Sequence, residues 1–209
     1  MMDDIGEPIV AVIDDDAAVR TGLVRLLRST GLQVDPFESC EAFLAAAPGR
    51  EPSCLILDVS LPGLDGPALQ RRLAADRNPP PIVFLTGYGD IPMSVRAMKE
   101  GAVDFLTKPA TEEVLLAAVG TAVERARAAR QTARANAAFE ERLATLTARE
   151  REVLRHVIAG KPNKAIAADL GTSEKTIKVH RGRVMAKMQV QSVAQLVRVA
   201  EATGVEPAV

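Results

Sequence analysis

An apolar run ends in three carboxylates in the sequence IVAVIDDD, residues 9–16. Runs of the same kind occur at 54–57 (CLIL), 82–85 (IVFL) and 103–106 (VDFL). Polar residues stand just beyond these later runs, at Asp58, Thr86 and Lys108. Short, nearly continuous apolar runs separated by helical patterns predict parallel strands covered on both faces. Because ligands bind beyond the carboxyl ends of such strands, the polar residues should converge on one acidic pocket.

The segments between these runs show apolar residues at helical spacing. Helices are predicted at 17–30, 39–47, 67–77, 91–100 and from 111 onward. Gly31 and Gly101 are the expected stops of the first and fourth. Five strand–helix units with right-handed crossovers give an α/β doubly wound sheet of five parallel strands.

The overall composition bounds the class of protein. The 209 residues suffice for one large or two small domains, and aromatic residues make up only 3 % of them, so the cores must be aliphatic. No apolar stretch approaches the ~20 residues of a membrane span, and the acidic start lacks the basic region of a signal peptide. Cys40 and Cys54 fit no metal or redox spacing. Two reduced thiols suit a cytoplasmic protein without a membrane partner.

Charge is distributed unevenly along the chain. Residues 1–123 carry 10 Lys and Arg against 18 Asp and Glu, a net charge of -8. The net charge is +2 over residues 124–145 and +5 over residues 146–209. An acidic front half and a basic end indicate two separate roles, and charge alone leaves both nucleic-acid binding and a merely solvated surface open for the basic end.

The second half of the sequence is predicted to be mostly helical. Residues 124–144 are rich in Ala and Arg, which favours a helical spacer over a frayed linker. Thr147 and Glu150 form a capping-box pattern before an apolar stretch. Further helices are expected at 162–170, 173–188 and 192–203. A short helix, a turn with Gly171 and a longer helix are typical of a helix-turn-helix.

The predicted pocket has the chemistry of phosphoryl transfer. Asp14, Asp15 and Asp58 would repel one another without a cation, and hard oxygen ligands suit Mg²⁺. A carboxylate such as Asp58 can act as a nucleophile toward phosphorus. Thr86 can donate a hydrogen bond to a phosphoryl oxygen, and Lys108 supplies a positive charge. The bond between Lys108 and Pro109 can be cis or trans, and the cis form would aim the lysine inward.

These residues resemble the receiver domain of two-component response regulators, which implies a flavodoxin-like fold. The likeness rests on DD at 14–15, LDV at 57–59, LPGLDG at 61–66, LTG at 85–87 and LTKP at 106–109, with GDIPM at 89–93 and AMKEGA at 97–102 closely similar to the FixJ branch. The resemblance implies that a sensor histidine kinase phosphorylates Asp58. It also implies Mg²⁺ ligands at Asp14, Asp15, Asp58 and the backbone carbonyl of Ser60, phosphoryl contacts from Thr86 and Lys108, and a switch pair of Thr86 and Phe105. Ala110 departs from the Phe common after Lys-Pro.

Residues 146–202 are similar to the LuxR-type helix-turn-helix, which belongs to the NarL type of regulator. The likeness rests on LTAREREVL at 146–154, GKPNKAIA at 160–167 and SEKTIKVH at 173–180. It implies base contacts from Lys178 and Val179. It implies phosphate contacts from Asn163, Lys164, Thr176, Arg181 and Lys187. His180 is either a phosphate contact or a packed side chain, and Gly182 replaces a base-contacting Lys of some relatives.

The sequence therefore predicts a phosphorylation-dependent transcriptional regulator rather than an enzyme with turnover. A receiver at 6–123, a helical linker at 124–145 and an all-α four-helix DNA-binding domain at 146–206 are expected. Expected partners are a sensor histidine kinase, promoter DNA, RNA polymerase and a second copy of the chain after phosphorylation.

Two alternatives remain at this point. The tail can serve only to dimerise a receiver that acts as a protein-interaction module. Asp14 and Asp16 also fit phosphatases of the haloacid dehalogenase type, but Ala18 stands where that family has Thr or Val. That interpretation leaves Asp58 and Lys108 without a role.

Overall fold

The apolar runs form the parallel sheet that their sequence predicts. The computed structural model describes residues 7–46, 51–87 and 90–208. Its strands are β1 Ile9–Ile13, β2 Gln33–Phe37, β3 Cys54–Leu57, β4 Ile82–Thr86 and β5 Asp104–Thr107. All neighbours pair in parallel, in the order β2-β1-β3-β4-β5. The prediction of a five-stranded doubly wound sheet is confirmed.

The second strand is the one that the apolar pattern does not locate. Its sequence is QVDPF, and of its five residues only Val34 is buried. It lies at the edge of the sheet and pairs only with β1. An edge strand faces solvent along one side, which explains why it tolerates Pro36, a residue without a backbone N–H.

The helices of the sheet domain follow the predicted segments. They are α1 Ala17–Ser29, α2 Cys40–Ala46, α3 Gly66–Leu73 and α4 Ile91–Lys99. Asp16, Asp65 and Asp90 each accept hydrogen bonds from the first turn of a helix. The prediction that α3 reaches residue 77 is wrong. Its last turn tightens into i→i−3 bonds such as Asp76 N–H to Leu73 O, so the helix ends at Leu73.

Three predicted positions lie outside the described residues. They are Gly6 at the start of the expected receiver, Ala47 at the expected end of the second helix, and Gly89 in the segment before α4.

The sheet is covered on both faces, which accounts for the uninterrupted apolar strands. On one face Val12, Ile56 and Val83 pack with residues of α1 and of the helix that follows β5. On the other face Leu57 and Phe84 pack with residues of α2, α3 and α4. Successive strand residues point to opposite faces, so a strand that is covered on both faces needs apolar side chains at successive positions.

A single helix, α5 Glu112–Ala144, follows β5. The helical form of the linker is therefore confirmed for this part of the chain. The chain divides into two compact units after Arg130, inside this helix and inside the predicted linker. The exact domain bounds of 6–123, 124–145 and 146–206 stay a proposal.

The second unit is a cluster of helices around one core. Its helices are α6 Ala148–Ile158, α7 Asn163–Asp169, α8 Glu174–Lys187 and α9 Val193–Ala202. The capping box of Thr147 and Glu150 is present, and Gly171 turns the chain between α7 and α8 with a φ of 61°. Phe139 of α5 is 1 % exposed in this core, a contribution that no sequence pattern predicts.

Burial determines the chemistry of the two cysteine thiols. Cys40 and Cys54 are free and buried, and burial raises the pKa of these thiols to about 11 and about 12. Both sulfurs are therefore protonated and unreactive at neutral pH.

Within the described residues, no helix combines the length and the apolar character that a membrane crossing requires.

Candidate functional site

Three carboxylates meet at the carboxyl ends of two adjacent strands. Asp14 follows β1 and Asp58 follows β3, and these strands pair with Ile13 opposite Leu57. Asp14 and Asp58 are buried, whereas Asp15 is exposed. Carboxylate oxygens of the three residues lie within 4.8 Å of one another. The convergence predicted from the sequence thus occurs for these three side chains.

The backbone fixes both buried carboxylates. The N–H of Asp14 donates to the carbonyl of Phe37 at 3.2 Å, and the N–H of Asp58 donates to the carbonyl of Ile13 at 3.0 Å. Each carboxylate also accepts a hydrogen bond from a nearby backbone N–H: Asp16 to Asp14 Oδ1 at 3.0 Å and Ser60 to Asp58 Oδ1 at 3.2 Å. The hydrogen-bond ladder of the sheet therefore extends one residue past each strand, and backbone hydrogen bonds fix the positions of both carboxylates.

Gly66 is a part of the site to which the sequence motifs assign no role. A Cβ atom added at Gly66 would lie 2.5 Å from the backbone oxygen of Asp58. The Gly66 N–H also donates to the carbonyl of Val59 at 3.1 Å. A residue with a side chain would push the start of α3 away from Asp58, so only glycine fits here.

Glu41 is a second residue that the sequence does not reveal. Its Oε1 accepts the N–H of Leu64 at 2.9 Å, which holds the loop between Asp58 and α3 from the side of α2. This hydrogen bond lowers the pKa of Glu41. The two residues are 23 positions apart, and no sequence motif links them.

Lys108 lies between the two buried carboxylates. Its Nζ is 2.6 Å from Asp14 Oδ2 and 2.6 Å from Asp58 Oδ2. Its backbone N–H donates to the carbonyl of Thr86 at 2.7 Å, and its bond to Pro109 is cis. One ammonium group thus partly neutralises two carboxylates.

The pKa values of the cluster follow from burial and from this ion pair. Burial raises the pKa of Asp14, and the hydrogen bond and charge of Lys108 only partly oppose that rise. Burial alone would lower the pKa of Lys108, but the hydrogen bonds and charges of Asp14 and Asp58 outweigh it and raise the pKa. Lys108 therefore stays charged at neutral pH.

Thr86 lies in β4 and Phe105 in β5, the two strands beyond β3 in the sheet. Thr86 ends β4, which pairs with β3, and is 1 % exposed. Phe105 lies in β5 opposite Phe84, with ring centroids 5.9 Å apart, and is half-buried. Going outward from β3, which precedes Asp58, the sheet carries Thr86 on β4 and then Phe105 on β5. This arrangement is compatible with the predicted switch pair.

The donor set fits a magnesium ion. Asp14, Asp15 and Asp58 offer only hard oxygen atoms, which Mg²⁺ prefers, and the exposed Asp15 leaves a side open to water. Ser60, whose carbonyl is the fourth expected ligand, is exposed in the loop after Asp58. Lys108 neutralises part of the negative charge, and a divalent cation would neutralise the remainder.

The second unit presents a basic helix surface. In α8, Lys175, Lys178, Val179, Gly182 and Arg183 are exposed at positions that share one side of the helix. Val179 is 48 % exposed although it is apolar. Lys164 of α7 is exposed as well. This side of α8 therefore presents three basic side chains, those of Lys175, Lys178 and Arg183, to solvent.

Three of the other expected DNA contacts, Asn163, Thr176 and Arg181, have partners within the protein. The guanidinium of Arg181 donates to Asn163 Oδ1 at 3.1 Å, which joins α8 to α7. The hydroxyl of Thr176 lies 2.8 Å from Ser173 Oγ. Among the described residues, the buried Nδ1 of half-buried His180 has no hydrogen-bond partner. Both alternatives for His180 stay open.

Lys187 is the expected contact most involved in the fold. Its Nζ donates to Glu150 Oε2 at 2.6 Å and to the carbonyl of Thr145 at 3.0 Å. A phosphate contact by Lys187 would therefore compete with the buried carboxylate of Glu150.

Both parts of the chain match families of known proteins. Residues 10–120 match the family described as response regulator receiver domain. Residues 144–200 match the family described as bacterial regulatory proteins, luxR family. Nodulation protein W of Bradyrhizobium diazoefficiens is 47 % identical over 94 % of this chain and 87 % of its own. The transcriptional regulatory protein FixJ of the same organism is 45 % identical over 93 % of this chain and 95 % of its own.

Two solved structures are similar over nearly the whole chain. The response regulator StyR is 44 % identical, with a TM-score of 0.80 over 94 % of this chain and 99 % of that one. Full-length FixJ from B. japonicum is also 44 % identical, with a TM-score of 0.57 over 94 % of this chain and 97 % of that one.

Proposed function

Because the chain belongs to the response regulators that join a receiver domain to a LuxR-type DNA-binding domain, we propose that phosphorylation of Asp58 controls its binding to promoter DNA. The chain is a transcriptional response regulator, its receiver implies a sensor kinase as partner, and its second domain implies DNA binding. The observation that carries the proposal is the placement of Lys108 Nζ 2.6 Å from both Asp14 and Asp58, beside Asp15.

In the proposed reaction an oxygen of Asp58 attacks the phosphorus of a phosphohistidine on the kinase. The new O–P bond forms as the P–N bond breaks, and the histidine leaves with the bonding electrons. A magnesium ion held by Asp14, Asp15, Asp58 and the carbonyl of Ser60 would supply positive charge against the phosphoryl oxygens.

The residues around Asp58 respond to the new group. Lys108 exchanges its contact with Asp58 Oδ2 for a phosphoryl oxygen, which remains within reach of its flexible side chain. The hydroxyl of Thr86 donates to another phosphoryl oxygen. Phe105 then moves with the adjacent face of α4 and β5, and the chain shifts toward its active arrangement.

A second copy of the chain is the proposed partner of that face. Ile91, Val95 and Met98 of α4 are 80 %, 45 % and 44 % exposed and lie on one side of the helix. A row of exposed apolar side chains supports burial against another protein surface. Two paired chains would place two α8 helices on one DNA site, which raises affinity through effective concentration.

The remaining assignments follow from this scheme. Each transfer consumes the nucleophile Asp58, so the chain acts as a phosphoacceptor with at most slow self-dephosphorylation, not as an enzyme with turnover. RNA polymerase is the further partner of a promoter-bound regulator. Two buried reduced thiols support a location in the cytoplasm.

Lys178→Ala should weaken binding to the specific DNA site by ~1–3 kcal/mol, because this exposed side chain is the proposed base contact of α8. Gel shifts at several salt concentrations measure it. Wild-type binding should weaken steeply with salt, as expected for several phosphate contacts. Glu201→Ala, an exposed change in α9, is the control. Salt-independent or absent DNA binding would instead favour a tail that only dimerises an interaction module.

A further inference from the structure

Gln70 is a polar side chain buried in an apolar layer. It lies in the middle of α3 and is 4 % exposed. The buried side chains of Leu69, Leu73, Ala97 and Ala102 belong to the core cluster on this face of the sheet. A buried amide is costly unless it is hydrogen-bonded, so its contacts define what it contributes.

The amide of Gln70 holds the end of α4. Its Nε2 donates to the carbonyl of Ala97 at 3.1 Å. The same carbonyl accepts the N–H of Ala102 at 3.0 Å, in the turn that ends α4 at Gly101. Gln70 thus adds a second donor to a carbonyl in the last turn of α4.

The other half of the amide is unsatisfied. Within the described part of the chain, the buried Gln70 Oε1 has no hydrogen-bond donor. Rotating the amide would bring Oε1 against the carbonyl of Ala97, so the observed orientation is fixed by its one good hydrogen bond. A side chain needed only to fill space here would be more stable without an unpaired oxygen. The amide therefore points to a role in holding α4.

The helix that carries Gln70 begins at the phosphorylation site. Gly66 starts α3 against the backbone of Asp58, with no room for a Cβ atom. Gln70 follows Gly66 by four residues, which places both on one side of α3. A continuous path of packed groups therefore runs from Asp58 through α3 to the carboxyl end of α4.

We propose that Gln70 is a positioning residue, whose hydrogen bond to Ala97 holds α4 in the arrangement of the unphosphorylated receiver. This inference rests on the proposed function, in which the exposed face of α4 pairs two phosphorylated chains. In the described arrangement Lys108 pairs with Asp14 and Asp58, as expected before a phosphoryl group arrives. Loss of the Gln70 hydrogen bond releases α4 and makes the active arrangement easier to reach.

Sedimentation equilibrium of the full-length chain, with magnesium and with or without beryllofluoride as phosphoryl analogue, tests the inference. The variant Gln70→Met keeps the length of the side chain and removes both polar atoms, and Gln70→Leu is a second apolar replacement. Arg71→Gln is the matched control, because Arg71 of α3 makes an exposed contact with the residue that follows α4. Its Nη1 lies 3.9 Å from Oε2 of Glu100.

We expect beryllofluoride to tighten dimerisation of the wild-type chain. Gln70→Met and Gln70→Leu should dimerise up to about 25-fold more tightly without beryllofluoride, because loss of one net hydrogen bond raises the active fraction of each of the two chains about fivefold. Their dimerisation with beryllofluoride should match the wild type, so the response shrinks by the same factor. Arg71→Gln should respond like the wild type.

Three results would overturn the inference. A wild-type response in both Gln70 variants would show that α4 does not depend on this hydrogen bond, while the proposed function stands. A fall in melting temperature of more than about 8 °C in both variants would show that Gln70 serves the fold itself. A wild-type chain whose dimerisation does not respond to beryllofluoride would remove the proposed pairing of phosphorylated chains, and this inference with it.

Discussion

Asp58→Asn should abolish transfer of a phosphoryl group to the chain. The amide of Asn lacks the nucleophilic carboxylate oxygen, and loss of a nucleophile typically lowers the rate of such a step by at least about 10³-fold. Incubation with radiolabelled acetyl phosphate and magnesium, followed by gel electrophoresis, measures the incorporated label. The wild-type chain should be labelled, and the variant should not rise above background.

The variant should remain folded. Lys108 still has Asp14 as a partner at 2.6 Å when the charge of Asp58 is removed, so no buried ammonium group is left unpaired. The side-chain oxygen of the introduced amide can still accept the N–H of Ser60, as Oδ1 of Asp58 does in the wild type. Loss of labelling would therefore report on chemistry and not on unfolding.

Asp65→Asn is the matched control. Asp65 is an exposed carboxylate in the loop after Asp58, and its side chain caps α3 by accepting the N–H of Ala68 at 2.7 Å. Asn caps helices as well as Asp does, so this variant should be labelled like the wild type. Undiminished labelling of Asp58→Asn would assign the phosphoryl group to another residue.

Glu150→Gln should destabilise the DNA-binding unit by about 2–3 kcal/mol at pH 7. Glu150 is 3 % exposed, and its Oε2 accepts both Lys187 Nζ at 2.6 Å and the N–H of Thr147 at 2.9 Å. These contacts, that of Lys187 first, lower the pKa of Glu150 from 4.5 to about 2. A neutral Gln loses the ion pair and leaves Lys187 beside a weaker acceptor.

The destabilisation caused by Glu150→Gln should become smaller as the pH is lowered. The pKa is lower in the folded chain than in the unfolded chain, so the charge of Glu150 stabilises the fold fully above about pH 5. That contribution disappears as the pH falls from about 5 to about 2, where Glu150 becomes protonated in both states. The difference between the wild type and Glu150→Gln should therefore shrink toward zero in acid.

Urea unfolding of the full-length chain measures this, followed by the methyl NMR signal of Met188, which is fully buried in the core of the second unit. Glu152→Gln is the control, because Glu152 forms an exposed pair with Arg149 at 2.8 Å, worth about 0–1 kcal/mol. A pH-independent difference for Glu150→Gln would contradict the assigned ion pair.

The proposed phosphorylation site is largely predictable from the sequence because each of its side chains follows an apolar strand. Parallel strands bring their carboxyl ends to one edge, so Asp14, Asp58 and Lys108 converge whatever the details of the helices. The second strand was not located because an edge strand needs no continuous apolar pattern. Gly66, Glu41 and Gln70 act through contacts with distant backbone atoms, and no local pattern reports such contacts.

In the second unit, too, local sequence patterns predict the helices but not the contacts between distant residues. Its helix caps and core positions follow from periodicity, and the capping box of Thr147 and Glu150 is present as predicted. The ion pair of Glu150 with Lys187 joins residues 37 positions apart, and periodicity carries no information about it. The proposed phosphate contact of Lys187 must therefore be weighed against its part in the fold.

Control of DNA binding by Asp58 can be measured in one titration. The full-length chain is titrated onto a DNA fragment selected by the chain itself from a random library, with magnesium and with or without beryllofluoride. Beryllofluoride should tighten binding of the wild type by about 5–150-fold, the range of ordinary allosteric coupling, and should leave Asp58→Asn unchanged. Equal affinity of the wild type with and without beryllofluoride, or an equal gain in Asp58→Asn, would contradict the account.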